Sequence, residues 1–141
     1  MRLITNLRIS MKGHIINLEQ ETVGNADFRR VLYTGKNLQL VLMSIPAGGE
    51  IGEEVHAEHD QFLRVDQGAG EAVIDGVTTE IADGWSILVP AGARHNIRNT
   101  SVADLKLYTL YAPPEHKDGT VHATVADAMA ASEHFDGKTT E

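Results

Sequence analysis

Two stretches of this chain concentrate side chains able to bind a metal ion or to move a proton. The first runs Gly48-Gly-Glu50-Ile-Gly-Glu53-Glu54-Val-His56-Ala-Glu58-His59-Asp-Gln61, and the second runs Gly84-Trp-Ser-Ile-Leu-Val-Pro90-Ala-Gly92-Ala-Arg-His95-Asn-Ile-Arg-Asn99. Glu54 and His56 are two apart, so on an extended segment their side chains leave the same face. Downstream, Leu63 and Val65 define an inward face and Arg64 and Asp66 an outward one. Gln61 is in phase with the inward set, and so is His59 if the strand starts that early. In the second stretch Pro90 and Gly92 end a strand and reverse the chain, and His95 opens the next strand. His95 shares one face with Ile97, while Asn96 and Arg98 share the other.

Ligand-type side chains from two distant segments therefore converge on an otherwise apolar interior. Burying them is unfavourable unless something satisfies them, and a divalent cation does so. Glu54, His56, Gln61 and His95 form the expected metal set. Glu53 replaces Glu54 if the loop shifts by one residue, and His59 is a possible additional ligand. Glu50 and Glu58 read as surface charges, and Arg64 and Arg94 point outward. Tyr108, Tyr111 and His122 are candidates for the mouth of a pocket. Substrate-contacting and catalytic residues beyond the metal set are not readable. There is no Ser-His-Asp constellation at recognisable spacing, no phosphate-binding glycine loop and no basic–aromatic interleaving.

The elements that must hold these side chains read as strand after strand. Leu38 to Ile45 is a long apolar run that stops at Pro46-Ala-Gly-Gly49. Phe62 to Val65 follows, and Glu71 to Ile81 carries Asp75-Gly76 between two strand-like halves, the signature of a two-residue hairpin. Trp85 to Val89, His95 to Asn99 and Leu105 to Tyr111 complete the series. Short segments punctuated this regularly predict a closed sandwich or barrel rather than βαβ units. Helical periodicity is confined to Val125-Ala-Asp-Ala-Met-Ala-Ala131, with Thr124 as N-cap and Asp127 at the third position. Residues after Phe135 read as frayed. Between residues 14 and 34, Ile15-Ile16 and Val31 to Tyr33 are possible edge strands, with Asn25 to Arg30 a turn or short helical piece.

Composition sets the outer limits. A chain of 141 residues with 42% hydrophobic content is long enough for one packed domain and too short for two. Cysteine is absent, which excludes disulfides, thiolate nucleophiles and Cys-ligated zinc, and a cytoplasmic location is expected. The net charge of −8, with 12 scattered Lys and Arg, argues against nucleic acid as a partner. No apolar run is long enough for a membrane helix. Met1 to Ser10 lacks the apolar stretch and small-residue cleavage site of a signal peptide and reads as a loose extension.

The spacing Gly48-x5-Glu54-x-His56-x4-Gln61-x6-Gly68 resembles the first motif of the cupin family, and Gly84-x5-Pro90-x-Gly92-x2-His95-x3-Asn99 resembles the second at every defining position. The first departs from the family pattern twice: Glu54 stands where a His is usual, and Gln61 where a Glu is usual. The resemblance implies an all-β fold, a double-stranded β-helix (jelly-roll) barrel with a short C-terminal helix. It divides the chain into an N-terminal extension with edge strands (1–35), the barrel (36–113) and a C-terminal tail with the short helix (114–141). It implies one divalent ion inside the barrel, and two imidazoles with one carboxylate and one amide suit Mn, Fe, Zn, Ni or Co. The functions it implies are a metal-dependent enzyme acting on a small polar molecule (a sugar, sugar phosphate or organic acid), such as an isomerase, dioxygenase or decarboxylase. A non-catalytic ligand-binding module and a purely structural metal barrel are the alternatives. The tail after Pro113 is similar to that of small uncharacterised cupins described as mannose-6-phosphate-isomerase-like. A homodimer is also implied, with the Leu38–Ile45 run and the N-terminal segment as its edge.

Overall fold

Alternating inward apolar and outward polar side chains, interrupted by glycine and proline every few residues, fold the chain into two antiparallel sheets that face each other across a shared core. The structure is a computed structural model and describes residues 12–141, so the expectation for Met1 to Ser10 lies outside the described residues. In chain order the elements are α1 (Leu18–Gly24), β1 (Arg29–Thr34), β2 (Gln39–Ile45), β3 (Glu54–Val55), β4 (Asp60–Gln67) and β5 (Ala69–Ile74). They continue with β6 (Val77–Ala82), β7 (Ser86–Val89), β8 (Arg94–Arg98), β9 (Leu105–Ala112), β10 (Val121–His122) and α2 (Val125–Ala130). One sheet has six strands in the order β10-β1-β2-β9-β4-β7, and the other has four in the order β3-β8-β5-β6.

Register shows how the interior is layered. Across the large sheet, Met43, Leu107 and Val65 form one inward row, and Val41, Thr109, Leu63 and Ile87 form the next. Gln39, Tyr111, Gln61 and Val89 form a third, the row of the large sheet that is richest in polar side chains. The small sheet closes the other side with Ala72, Ile81 and Ile97. The Asp75-Gly76 hairpin forms as expected, with Ile74 paired to Val77 and both turn residues at positive φ (47° and 84°), the conformation that glycine and aspartate tolerate best.

Several expectations need correction. The Leu38–Ile45 run is no edge: β2 lies between β1 and β9, and its near-complete burial reflects that central place. Asp66 stays on the Arg64 side of β4, its carboxylate 3.6 Å from Arg64 Nε, but is buried there beside Thr22 of α1, next to a register shift between Val65 and Gln67. Gly68 follows at φ 97°, where a Cβ would stand 2.7 Å from the Asp104 carbonyl oxygen. Asn96 is also buried, donating to Glu50 at 3.0 Å and accepting from the Gly52 N–H at 2.9 Å.

The N-terminal segment contains a helix that periodicity does not reveal. In α1 only Thr22 is buried, and Asn17 caps it by accepting the Gln20 N–H at 3.1 Å. At the other end α2 has its expected N-cap, with Thr124 and Asp127 forming a reciprocal capping box. The last residues are tied down rather than frayed. Thr140 exchanges two hydrogen bonds with Thr34, at 2.8 and 2.9 Å, and Glu133 accepts from His116 Nδ1 at 2.7 Å and from the Lys117 N–H at 2.9 Å. Burial works against the Glu133 charge, but those two donors outweigh it and hold the carboxyl down at about 2. The tail therefore lies back over one end of the barrel, bringing Glu115 and His116 into its interior.

Candidate metal centre

The short strand β3 pairs with β8 so that Glu54 stands opposite His95. Parity on β3 carries His56 to the same side, and its ring centroid lies 5.3 Å from that of His95. Glu54, His56 and His95 thus present one ligand atom each, all within 4.8 Å of one another. The loop after Pro90 fixes this approach, with the Gly92 N–H donating to the His56 carbonyl at 2.8 Å.

The donors are prepared for a cation. Nδ1 of His95 lies 3.0 Å from the Ala93 carbonyl, an acceptor only, so the ring proton sits on Nδ1 and Nε2 keeps its lone pair. That Nε2 is buried with no hydrogen-bond partner, and Nε2 of His56 is buried with only Glu54 Oε1 beside it, at 3.4 Å. Gln61 is buried on the same level as Tyr111, whose ring packs edge-on against His56 at 5.6 Å. Its Nε2 donates to Thr109 at 2.9 Å, which leaves Oε1 as a buried acceptor without a partner. Two buried imidazole nitrogens without hydrogen bonds, an unpartnered amide oxygen and a carboxylate facing one of the imidazoles are what an unsatisfied mixed N/O metal shell looks like. The residues fit a divalent cation.

The two alternative ligands are placed elsewhere. Glu53 points outward, mostly exposed, and pairs with Arg94 at 3.2 Å. His59 is occupied at both nitrogens, Nδ1 by the Pro113 carbonyl at 2.7 Å and Nε2 by Glu115 at 2.9 Å. Of the residues expected at a pocket mouth, Tyr111 and His122 are buried, while Tyr108 turns to the other face of β9 beside Phe62.

Glu115 is a site residue that no periodicity announces, because it follows the end of β9 in the tail. Besides holding His59, it faces Nδ1 of His56 at 3.8 Å, on the side of the ring away from Glu54. Carboxylates placed so behind a metal-binding imidazole orient it. The electrostatics follow from this crowding. Glu54 at 3.4 Å is the main influence raising the His56 imidazole; burial opposes it, and Glu115 adds to it. For Glu54, burial is outweighed by His56, Arg29 and His95, which hold its carboxyl below the usual range.

Residues 41–111 match the model of a family described as Cupin domain. The chain is 44% identical over 128 residues to the uncharacterized protein YrkC of Bacillus subtilis, covering 86% of this chain and 69% of that one. It is 48% identical to BH2720 of Bacillus halodurans, whose crystal structure superposes with a TM-score of 0.84 over 86% of this chain and 97% of that one. KdgF from Halomonas sp. has the same fold at a TM-score of 0.61 and 23% identity, covering 73% of this chain and 94% of that one.

The His56 geometry gives a prediction in the metal-free protein. Its imidazole should titrate above the ordinary 6.5, read by two-dimensional NMR, and Glu54→Gln should bring it down by removing the leading cause. The sign is definite: the pair stabilises the metal-free fold at acid pH and loses that contribution as pH rises through the raised value. Cation uptake should strengthen in the same direction, since proton and cation compete for Nε2. A wild-type midpoint below 6.5 would contradict this.

Proposed function

Because this chain belongs to the cupin family, we propose that Glu54, His56, His95 and Gln61 hold one divalent cation, and that the protein is an enzyme acting on a small polar molecule inside the barrel. The observation that carries the proposal is the pair of buried Nε2 atoms on His56 and His95, neither hydrogen-bonded, gathered with Glu54 within 4.8 Å. A divalent ion bound there would supply Lewis acidity toward a carbonyl or hydroxyl oxygen. The chain's own residues prepare that role. The Ala93 carbonyl holds His95 in the metal-binding tautomer, and Glu115 stands behind His56. Tyr111, pushed far up by burial, stays a neutral phenol at the wall of the site.

The donor set suits Mn, Fe, Co, Ni or Zn, and Glu54 is its one anion. A metal neutralised so sparingly favours substrates that bring oxygen donors of their own, among which sugars, sugar phosphates and organic acids are the classes considered. Isomerisation, dioxygen-dependent oxidation and decarboxylation are the compatible reactions.

Two further parts of the proposal concern context. No helix among the described residues is long and apolar enough to cross a membrane, and a cytoplasmic setting suits a chain without cysteine. A homodimer is proposed through the outer face of the six-stranded sheet, where Leu38 and Leu88 are 50% and 71% exposed beside Phe62 and Leu110. Light scattering that returned a monomer mass at micromolar concentration would remove that element.

The metal reading is tested by elemental analysis of the purified chain after growth with supplemented metals. About one divalent ion per chain is expected. His56→Ala and His95→Ala should each weaken binding by more than the roughly 10–100-fold typical of outer-shell changes, whereas Glu53→Gln should leave it intact. Wild-type protein that folds without stoichiometric metal would sink the proposal. Metal retained by both histidine variants would sink the ligand assignment. Turnover of sugar phosphates and organic acids that vanishes on chelation and returns with metal separates an enzyme from a structural barrel.

A further inference from the structure

Among the described residues, Arg29 places a permanent cation in the interior. Arg29 opens β1, and its register sets it across from Met43, a side chain of the buried core, so it projects to the inward face. It is only 7% exposed, in contrast to its neighbour Arg30, which faces out near Asp27. Nη1 lies 3.2 Å from Nδ1 of His122, and a guanidinium only donates, so His122 is the neutral tautomer with its proton on Nε2. This contact satisfies one donor and brings no negative charge. The Arg29 Nε–H is buried with no acceptor at all. Among the described residues no carboxylate lies within ion-pair distance of the guanidinium.

A buried guanidinium does not shed its proton, so it must be compensated from elsewhere. Its charge is felt at Glu54, His56 and Tyr111, which places it in the electrostatic reach of the metal cluster, and at Glu133. Glu133 is already taken by His116 and the Lys117 N–H, and Glu115 by His59. If the metal reading holds, a dication and a guanidinium share the interior with Glu54 as the one carboxylate not engaged by the tail. Glu54, Glu115 and Glu133 formally match that charge, yet none of the three lies within ion-pair distance of Arg29, whose Nε–H stays without an acceptor.

We infer that Arg29 anchors a carboxylate of the molecule that binds at the cluster, so the ligand class is a small organic acid rather than a neutral sugar. The inference rests on the proposed metal site for the second contact, and on Arg29 alone for the first. With Nη1 committed to His122, the Nε edge of the guanidinium remains, and it suits the planar oxygens of a carboxylate. Arg29 is thus a specificity residue that parity could have flagged, being two residues before the buried Val31 and in phase with it on β1.

The test is calorimetric titration of malonate, its neutral analogue malonamide and inorganic phosphate into the full chain, zinc-loaded and metal-free. Malonate should bind the zinc-loaded wild type, and Arg29→Gln should weaken it by about tenfold or more at unchanged zinc stoichiometry. Malonamide should not distinguish the two proteins. Arg29→Lys, which keeps the charge but not the fork, should fall between them, and it decides the matter if Arg29→Gln fails to fold. Equal malonate affinity in wild type and variant would overturn the inference, and so would phosphate binding tighter than malonate. If the wild type takes up no zinc, the metal reading fails by itself. The metal-free chain then gives the answer, since Arg29-dependent malonate binding there upholds the anchor and its absence refutes it.

Discussion

A polar atom buried without a partner must be satisfied by something, and this barrel gathers several such atoms at one level of its interior. Nε2 of His56, Nε2 of His95 and Oε1 of Gln61 make no hydrogen bond, while the other polar atoms of His95 and Gln61 are held by Ala93 and Thr109 and Nδ1 of His56 faces Glu115. The surrounding rows are apolar, so water-like compensation from neighbouring side chains is not on offer. The fold makes this arrangement rigid. β3 has only two residues, yet its pairing with β8 sets Glu54 opposite His95, and the Gly92 N–H ties the His56 backbone to the following turn. Removing a cation from such a shell leaves uncompensated polar groups in a low-dielectric space, which is the physical reason to assign one there.

The C-terminal tail changes what the barrel can do. Strands alone would leave the polar end of the interior open. The segment after β9 instead inserts Glu115 behind His56 and against His59, and His116 beside Tyr111, with Glu133 locking His116 in place. The same segment returns as β10 beside β1, where His122 meets Arg29. Site and tail are therefore one construction: a carboxylate orients an imidazole, a neutral imidazole receives a guanidinium, and the remaining donors face inward.

How much of this was legible in the sequence follows the reach of each signal. His95 and Ile97 share a face of a strand that Pro90 and Gly92 announce, and parity alone brings Glu54 and His56 together, so the heart of the site could be read from spacing. The Asp75-Gly76 hairpin and the Thr124 cap are local rules and they hold. What failed depends on tertiary context. Asp66 is buried on its outward face because α1 packs over it, and no pattern of alternation anticipates that cover or the bulge after Val65. α1 buries only Thr22, so it has no apolar stripe to detect. The Leu38–Ile45 run looks the same whether it is an edge or a central strand, and β1 and β9 decide the matter. Arg29 shares the phase of Val31 on β1, but its meeting with His122, like the place of Glu115, depends on the tail's return, which sequence spacing does not encode.

The central claim is that the interior of this barrel binds a divalent cation through His56 and His95. It is tested most directly by anomalous diffraction at the zinc edge from crystals of zinc-loaded protein. The account predicts one interior peak at roughly 2.0–2.1 Å from Nε2 of both histidines, with a Glu54 oxygen in the same shell. Zinc found only on surface carboxylates, with both Nε2 atoms still unpartnered, would contradict it.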